Sequence, residues 1–243
     1  MNFPSLSGRS LKRFSEITET WNPVTGCLHA CRYCWAIRLA ARLAEMNVQP
    51  YAERGFAPTL VRWRLNKKFS KGAFVFVCDM GDLFGDWVPR DWILKILDTV
   101  SKNRSANFLF LTKNPKRYLD FDFGDNVVLG ATVETNRHYQ KISKAPQPPE
   151  RLEAMIKLKH KYKALVIEPI LDFDLEEFVY MIRKVDPVFV VVGYDNYGNR
   201  LPEPRLEKTM KLVEKLSEFT EVRHKTLRKA WYEEEKKIKP NPE

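Results

Sequence analysis

Short apolar runs alternate along this chain with stretches whose apolar positions recur at helical spacing. The runs are Ala73 to Cys78, Asn107 to Leu111, Val127 to Val133, Ala164 to Ile167 and Val188 to Val192. Each is strand-sized and almost continuously hydrophobic, the pattern of a strand covered on both faces. Between them, Arg90 to Ser101 places Trp92, Ile93, Ile96, Leu97 and Val100 on one side, and Pro149 to Lys161, Leu175 to Lys184 and Pro204 to Ser217 read the same way. Pro89 and Pro149 sit where a helix start tolerates a missing N–H. Ile17 to Thr20 reads as a first strand and Ala36 to Met46 as a helix after it. Glu221 to Arg223 suits a short closing strand, Thr226 to Lys237 a charged helix, and the last five residues a frayed tail. Strands that alternate with helices predict an α/β fold of about six βα units around a parallel sheet.

The length of 243 residues suits one domain spanning 1–243, with a core at about 14–217 and an extension over 218–243. Hydrophobic residues make up 44% and charged residues 30%, which excludes a disordered chain. The first fourteen residues carry Arg9, Lys12 and Arg13 without the apolar stretch of an export signal, and no apolar run approaches the length of a membrane span. The expectation is a cytoplasmic protein with no membrane partner. Lysine and arginine total 41 against 31 acidic residues, a net charge of +10 that attracts polyanions. A solvated basic surface reads identically in sequence.

Three of the four cysteines, Cys27, Cys31 and Cys34, form a C-x3-C-x2-C loop between the first strand and its helix; Cys78 stands apart in an apolar run. This is no disulfide framework, and cysteines clustered in this way bind metal or do redox chemistry. Three thiolates can hold three irons of a cubane and leave the fourth iron open to a ligand. Gly26 relieves crowding where the backbone must curl. Zinc is the competing reading and needs a fourth ligand from His29 or Cys78. His29 lies inside the tight loop and Cys78 among apolar neighbours, which favours iron–sulfur.

The loop, with Tyr33 as the aromatic before Cys34, resembles the C-x3-C-x-aromatic-C signature of the radical SAM superfamily. The segments TWNPVTGC, LVRWR, DMGDLF, FLFLTKNP, LGATVET and VIEPIL are similar, in this order, to a phage-related radical SAM family of unknown function. That family is itself distantly similar to spore photoproduct lyase. The resemblance implies a partial (β/α)6 TIM-like barrel, a [4Fe-4S] cluster on Cys27, Cys31 and Cys34, and S-adenosyl-L-methionine cleaved reductively to a 5′-deoxyadenosyl radical. It also implies an electron donor such as ferredoxin or flavodoxin.

Residues just beyond strand ends are the natural site candidates in a parallel barrel. By the resemblance, Met80, Gly81 and Asp82 stand where a glycine-rich segment contacts the methionine amino group, with the backbone the safer part of that assignment. Lys113 could balance the cofactor carboxylate, although Thr112 and Asn114 suit the cap of a helix begun by Pro115. Thr132 or Glu134 would bond the ribose hydroxyls. Glu168 closes an apolar strand and is either a site residue or half of a buried ion pair. Tyr33 would pack near the adenine or shield the cluster, and Cys78 reads as a packed strand residue. Nucleic acid is the leading substrate class, from the charge, Trp63, Trp87, Tyr194 and Tyr197, and Arg62-Trp-Arg64 with Lys67 and Lys68. The reading from another class is a non-enzymatic nucleic-acid-binding protein with structural zinc.

Overall fold

The computed structural model describes residues 16–235. Seven strands form one parallel sheet: β1 (Glu19–Trp21), β4 (Phe74–Val77), β5 (Asn107–Thr112), β6 (Val127–Thr132), β7 (Lys163–Ile167), β8 (Phe189–Val192) and β9 (Glu221–His224). Each pairs with the next in that order, so the sheet curls into an open half-barrel, the partial TIM-like α/β architecture expected. Two further strands, β2 (Val24–Thr25) and β3 (Thr59–Leu60), make a small antiparallel ribbon beside it. The helices are α1 (Trp35–Glu45), α2 (Tyr51–Arg54), α3 (Arg90–Lys102), α4 (Pro148–Lys157), α5 (Leu175–Val185), α6 (Leu206–Ser217) and α7 (Trp231–Glu235).

The strands read as unbroken apolar runs because both faces are covered. One alternating set, including Val75, Val77, Phe108, Phe110, Leu129, Leu165 and Val190, packs under the helices with Ile93, Ile96, Leu152, Phe178 and Leu212. The other set, Phe74, Leu109, Val128, Ala164 and Phe189, meets across the second face and closes it near the strand starts. Full burial of such side chains contributes about 1.5–3 kcal/mol each. Both sets leave the strand C-terminal ends to be lined by polar residues.

Several expectations shift at their edges, and the first strand runs over Glu19–Trp21 and not from Ile17 to Thr20. The strand at Ala73 to Cys78 stops at Val77, and Cys78 sits beyond it with φ +60°, buried in the main core. The segment from Pro115 is not an α-helix but a 3-10 run, Pro115–Asp120, whose Tyr118 packs edge-on with Phe84 and Phe123. Helix α4 ends at Lys157, where Leu158 turns extended. Of the expected charged C-terminal helix, Trp231–Glu235 is helical among the described residues, and Thr226 to Ala230 is not. Tertiary bonds hold the preceding segment: Arg228 reaches Glu203 at 2.7 and 2.9 Å and the Asp195 carbonyl at 2.6 Å. The basic N-terminus up to Phe14, the helix end at Lys237 and the final tail lie outside the described residues. Among those described, no helix is long and apolar enough to cross a membrane.

Candidate active site at the strand ends

The cysteine loop leaves β1 and is bound on three sides. Gly26 forms a parallel bridge with Gly81, its N–H donating to the Met80 carbonyl at 2.9 Å. With φ +85°, and with a Cβ that would lie 2.4 Å from the Ala57 backbone, position 26 admits only glycine. Gly81 is constrained by space alone, since its Cβ would lie 2.8 Å from the Gly26 carbonyl oxygen. On the far side, Arg32 N–H donates to Ile142 at 2.9 Å, Lys144 N–H to His29 at 2.7 Å, and Ser143 Oγ lies 3.1 Å from Cys31 Sγ. Cys34 ends the loop as the residue before α1, its N–H donating to the Cys31 carbonyl at 3.1 Å.

Cys27, Cys31 and Cys34 are all partly accessible, while Cys78 is buried. Burial first, then the charge of Asp82, raises the Cys27 thiol far above its ordinary range. A bound metal would hold such a thiol deprotonated. Among the described residues no three His, Cys, Asp or Glu side chains are grouped as for a single metal ion. His29 directs Nε2 to Asp82, and Cys78 packs into the core behind β1 and β4, so each is committed elsewhere. The donor chemistry, three soft thiols on one loop, fits an iron–sulfur cluster with one iron left open.

Asp82 ties this loop to two strands. Its Oδ2 meets His29 Nε2 at 2.9 Å and accepts the Lys113 N–H at 2.9 Å; its Oδ1 accepts the Thr112 hydroxyl at 2.7 Å and the Phe84 N–H at 3.0 Å. Burial opposes ionisation, but His29 and the other donors outweigh it and hold the carboxyl below the usual range. Both carboxylate oxygens are thus taken up within the protein. Beside them, Met80 belongs to a buried cluster with Ala36 and Tyr51 against which Cys34 packs, and its N–H donates to Asn22 Oδ1 at 3.0 Å. Thr112 accepts the Asn114 N–H at 2.9 Å, while Asn114 donates to the Phe84 carbonyl at 3.0 Å rather than capping the 3-10 run with its side chain.

A second buried node forms around Glu134. It accepts hydrogen bonds from the Tyr33 hydroxyl and, at 2.8 Å, from Arg151 Nη1, and the Lys113 ammonium lies 4.0 Å away. Lys113 also stands 5.4 Å from the centre of the Tyr33 ring. Burial raises the Glu134 carboxyl, but Arg151 and Lys113 together pull it below its ordinary value. Burial and the Glu134 charge push the Tyr33 phenol far up. Arg151 Nη1 also donates to the Thr132 carbonyl at 2.9 Å, which fixes the end of β6.

The structure therefore brings Tyr33, Lys113 and Glu134 into contact and sets Thr132 beside them through Arg151. Met80, Gly81 and Asp82 line the inner side of the cysteine loop. Glu168 stands apart, beyond β7, and its Oε2 pairs with Lys225 at 2.9 Å past the end of β9. Sequence reasoning missed His29 as a partner of Asp82, the Ile142 to Lys144 clamp, and Arg151. The last had a signal: Pro148, Arg151, Leu152 and Met155 form the buried stripe of α4, and a charge inside such a stripe needs a partner.

Among curated proteins nothing matches this chain. Among solved structures it is similar to a cysteine-to-alanine mutant of spore photoproduct lyase with dinucleoside spore photoproduct. The identity is 11% and the TM-score 0.50, over 81% of this chain and 60% of that one. A cysteine-to-serine mutant of the same lyase matches at 13% identity and TM-score 0.49, over 83% of this chain and 61% of that one. The chain thus spans about three-fifths of the length of these structures, and at 11% identity the likeness to the first is one of fold. The model of the family described as a protein of unknown function (DUF5131) matches residues 13–200, well over half of the sequence, and the chain belongs to that family.

Proposed function

We propose that this protein is a radical SAM enzyme whose Cys27, Cys31 and Cys34 hold a [4Fe-4S] cluster. The carrying observation is the position of the three thiols. They sit on a loop at the C-terminal end of a parallel half-barrel, the end at which such folds do chemistry, and the Gly26 to Gly81 bridge and the Ile142 to Lys144 segment fix that loop. The likeness in fold to spore photoproduct lyase supports the same reading. With S-adenosylmethionine, the bound cluster would supply reductive cleavage to methionine and a 5′-deoxyadenosyl radical.

The chain's own residues would bind, orient and shield. The Met80 to Asp82 segment lies against the loop and holds it through the Gly26 N–H bond to the Met80 carbonyl, while Asp82 works through His29 as a positioning residue. Lys113 and Glu134 at the ends of β5 and β6 offer a cation and an anion 4.0 Å apart, suited to the carboxylate and the ribose hydroxyls of the cofactor. Tyr33, on the loop itself, joins it to this pair through Glu134 and would exclude water from the thiols. Glu168, paired with the exposed Lys225, lies on the opposite rim. The net charge of +10 supports a polyanionic substrate, with nucleic acid the first class to test.

The test is anaerobic reconstitution with iron and sulfide, reduction, addition of S-adenosylmethionine and measurement of 5′-deoxyadenosine beside a Cys31→Ala control. Product from the wild-type chain alone is expected. Bound zinc in place of iron, with no product, would overturn the proposal.

A further inference from the structure

Four aromatic residues stand out in the sequence as candidates for stacking on a ligand, and the fold separates them. Tyr194 is fully buried and bonded to Thr209, Trp87 packs edge-on against His29, and Tyr197, 51% exposed, has one ring face 5.2 Å from the Arg38 guanidinium. Trp63 is 67% exposed. A tryptophan left in water on a floppy loop would mean little, but this one sits on a rigid turn. The 3-10 turn Arg62–Arg64 is bolted to the segment just before the cysteine loop. Trp21 Nε1 donates to the Arg64 carbonyl at 2.7 Å, Arg64 Nη1 to the Asn22 carbonyl at 2.9 Å, and Val61 N–H to the Pro23 carbonyl at 2.7 Å.

Beside this turn lies a cleft of about 540 Å³ whose lining includes Leu43, Val48, Tyr51, Trp63, Lys67 and Met80. The size suits one or two planar groups. Met80 belongs to the buried cluster against which Cys34 packs, and this cluster links the cleft to the cysteine loop. Of the cleft's lining residues Arg64 and Lys67 are cationic, Arg64 donating to the Asn22 carbonyl at 2.9 Å and Lys67 pairing with Glu19 at 2.8 Å, while Arg62 of the same turn and Lys68 just after it are exposed. An aromatic face flanked by cations is the arrangement that holds a base by stacking and its backbone phosphates by charge. An apolar peptide would use the same wall but would gain nothing from the cations.

We infer that the Trp63 cleft is a nucleobase-stacking subsite for single-stranded nucleic acid, with Arg62 and Lys68 on the flanking phosphates. As a way of bringing substrate to the thiols it rests on the radical SAM reading above; as a binding site it does not. The experiment therefore measures binding by the full chain without iron, sulfide or S-adenosylmethionine, and its failure leaves 5′-deoxyadenosine formation untouched. Fluorescence anisotropy at low ionic strength would compare a short labelled single-stranded DNA, the same length of RNA, and an abasic DNA of equal charge.

Wild-type protein is expected to prefer at least one base-bearing strand over the abasic one by about tenfold. Trp63→Ala removes that preference while leaving abasic binding unchanged, and Trp63→Phe retains most of it. An Arg62→Ala, Lys68→Ala double variant weakens base-bearing and abasic strands alike and flattens the salt dependence. Because these side chains are exposed, unchanged thermal melting is expected for each variant. Equal affinity for base-bearing and abasic strands, a Trp63→Ala protein that keeps its preference, or no binding by the wild type would each overturn the inference. Preference for DNA or for RNA identifies which strand the subsite takes.

Discussion

His29 Nε2 and Asp82 Oδ2 meet at 2.9 Å with both residues buried, joining the middle of the cysteine loop to the turn after β4. The same carboxylate takes the Thr112 hydroxyl and the Lys113 and Phe84 N–H groups, so a single side chain fixes the spatial relation of the loop to two strand ends. Asp82→Ala leaves buried donors unpaired, each costing about 1–3 kcal/mol. Urea unfolding should show a loss at the upper end of ordinary single substitutions. A loss below about 1 kcal/mol would mean that water replaces the carboxylate.

The pH dependence of stability follows from the same group. The folded-state carboxyl of Asp82 lies below its ordinary value of 3.8, and that of Glu134 below 4.5. Folding therefore favours the ionised forms. The stabilisation is complete above the ordinary values and is lost as pH falls from about 4.5 through 3.8 toward the lower folded values. Urea midpoints across this range should fall steeply for the wild type and less steeply for Asp82→Asn.

Glu134 and Arg151 form a buried pair, and the side chains are 3% and 2% exposed. Arg151→Met strands the carboxylate and is expected to cost about 3–5 kcal/mol, whereas the double change Arg151→Met, Glu134→Gln should recover part of that loss. A double-mutant cycle measures the coupling. Additive losses would show that Arg151 acts through the Thr132 carbonyl instead of through Glu134.

Much of this arrangement was legible in the chain, for physical reasons that also set the limit. Strands such as β5 and β8 are apolar on both faces, so their positions survive any uncertainty about neighbours. The cysteine spacing is local, and the Met80 to Asp82 turn follows directly from where β4 ends. Contacts made across the fold leave no local trace. Ser143 beside Cys31 lies 112 positions away in a loop without periodicity, and His29 lies 53 from Asp82. The 3-10 run after Asn114 and the extended segment around Arg228 departed from local helical preference because side-chain bonds to distant carbonyls decided them.

Gly81→Ala separates the integrity of the loop from that of the fold. A methyl group there would lie 2.8 Å from the Gly26 carbonyl oxygen and 3.1 Å from the Gly26 nitrogen, both backbone atoms that cannot swing aside. The bridge should open and displace Cys27. Reconstituted iron per chain is expected to fall several-fold while the far-ultraviolet circular dichroism stays unchanged. Full iron loading would show that the loop holds its thiols without this bridge.

Glu168 and Lys225 close the opposite rim. The lysine is 61% exposed, so this pair contributes only about 0–1 kcal/mol to stability, and Lys225→Ala should unfold within that margin of the wild type. The carboxylate is the less exposed half, at 19%, and lies beside Gly193. If Glu168 binds S-adenosylmethionine, Glu168→Gln lowers 5′-deoxyadenosine formation chiefly through a raised KM, while Lys225→Ala leaves the rate nearly intact. Equal losses in both variants would instead make the ion pair a unit that closes the half-barrel. Measuring KM and kcat for the two variants side by side decides between a ligand-binding carboxylate and a structural one.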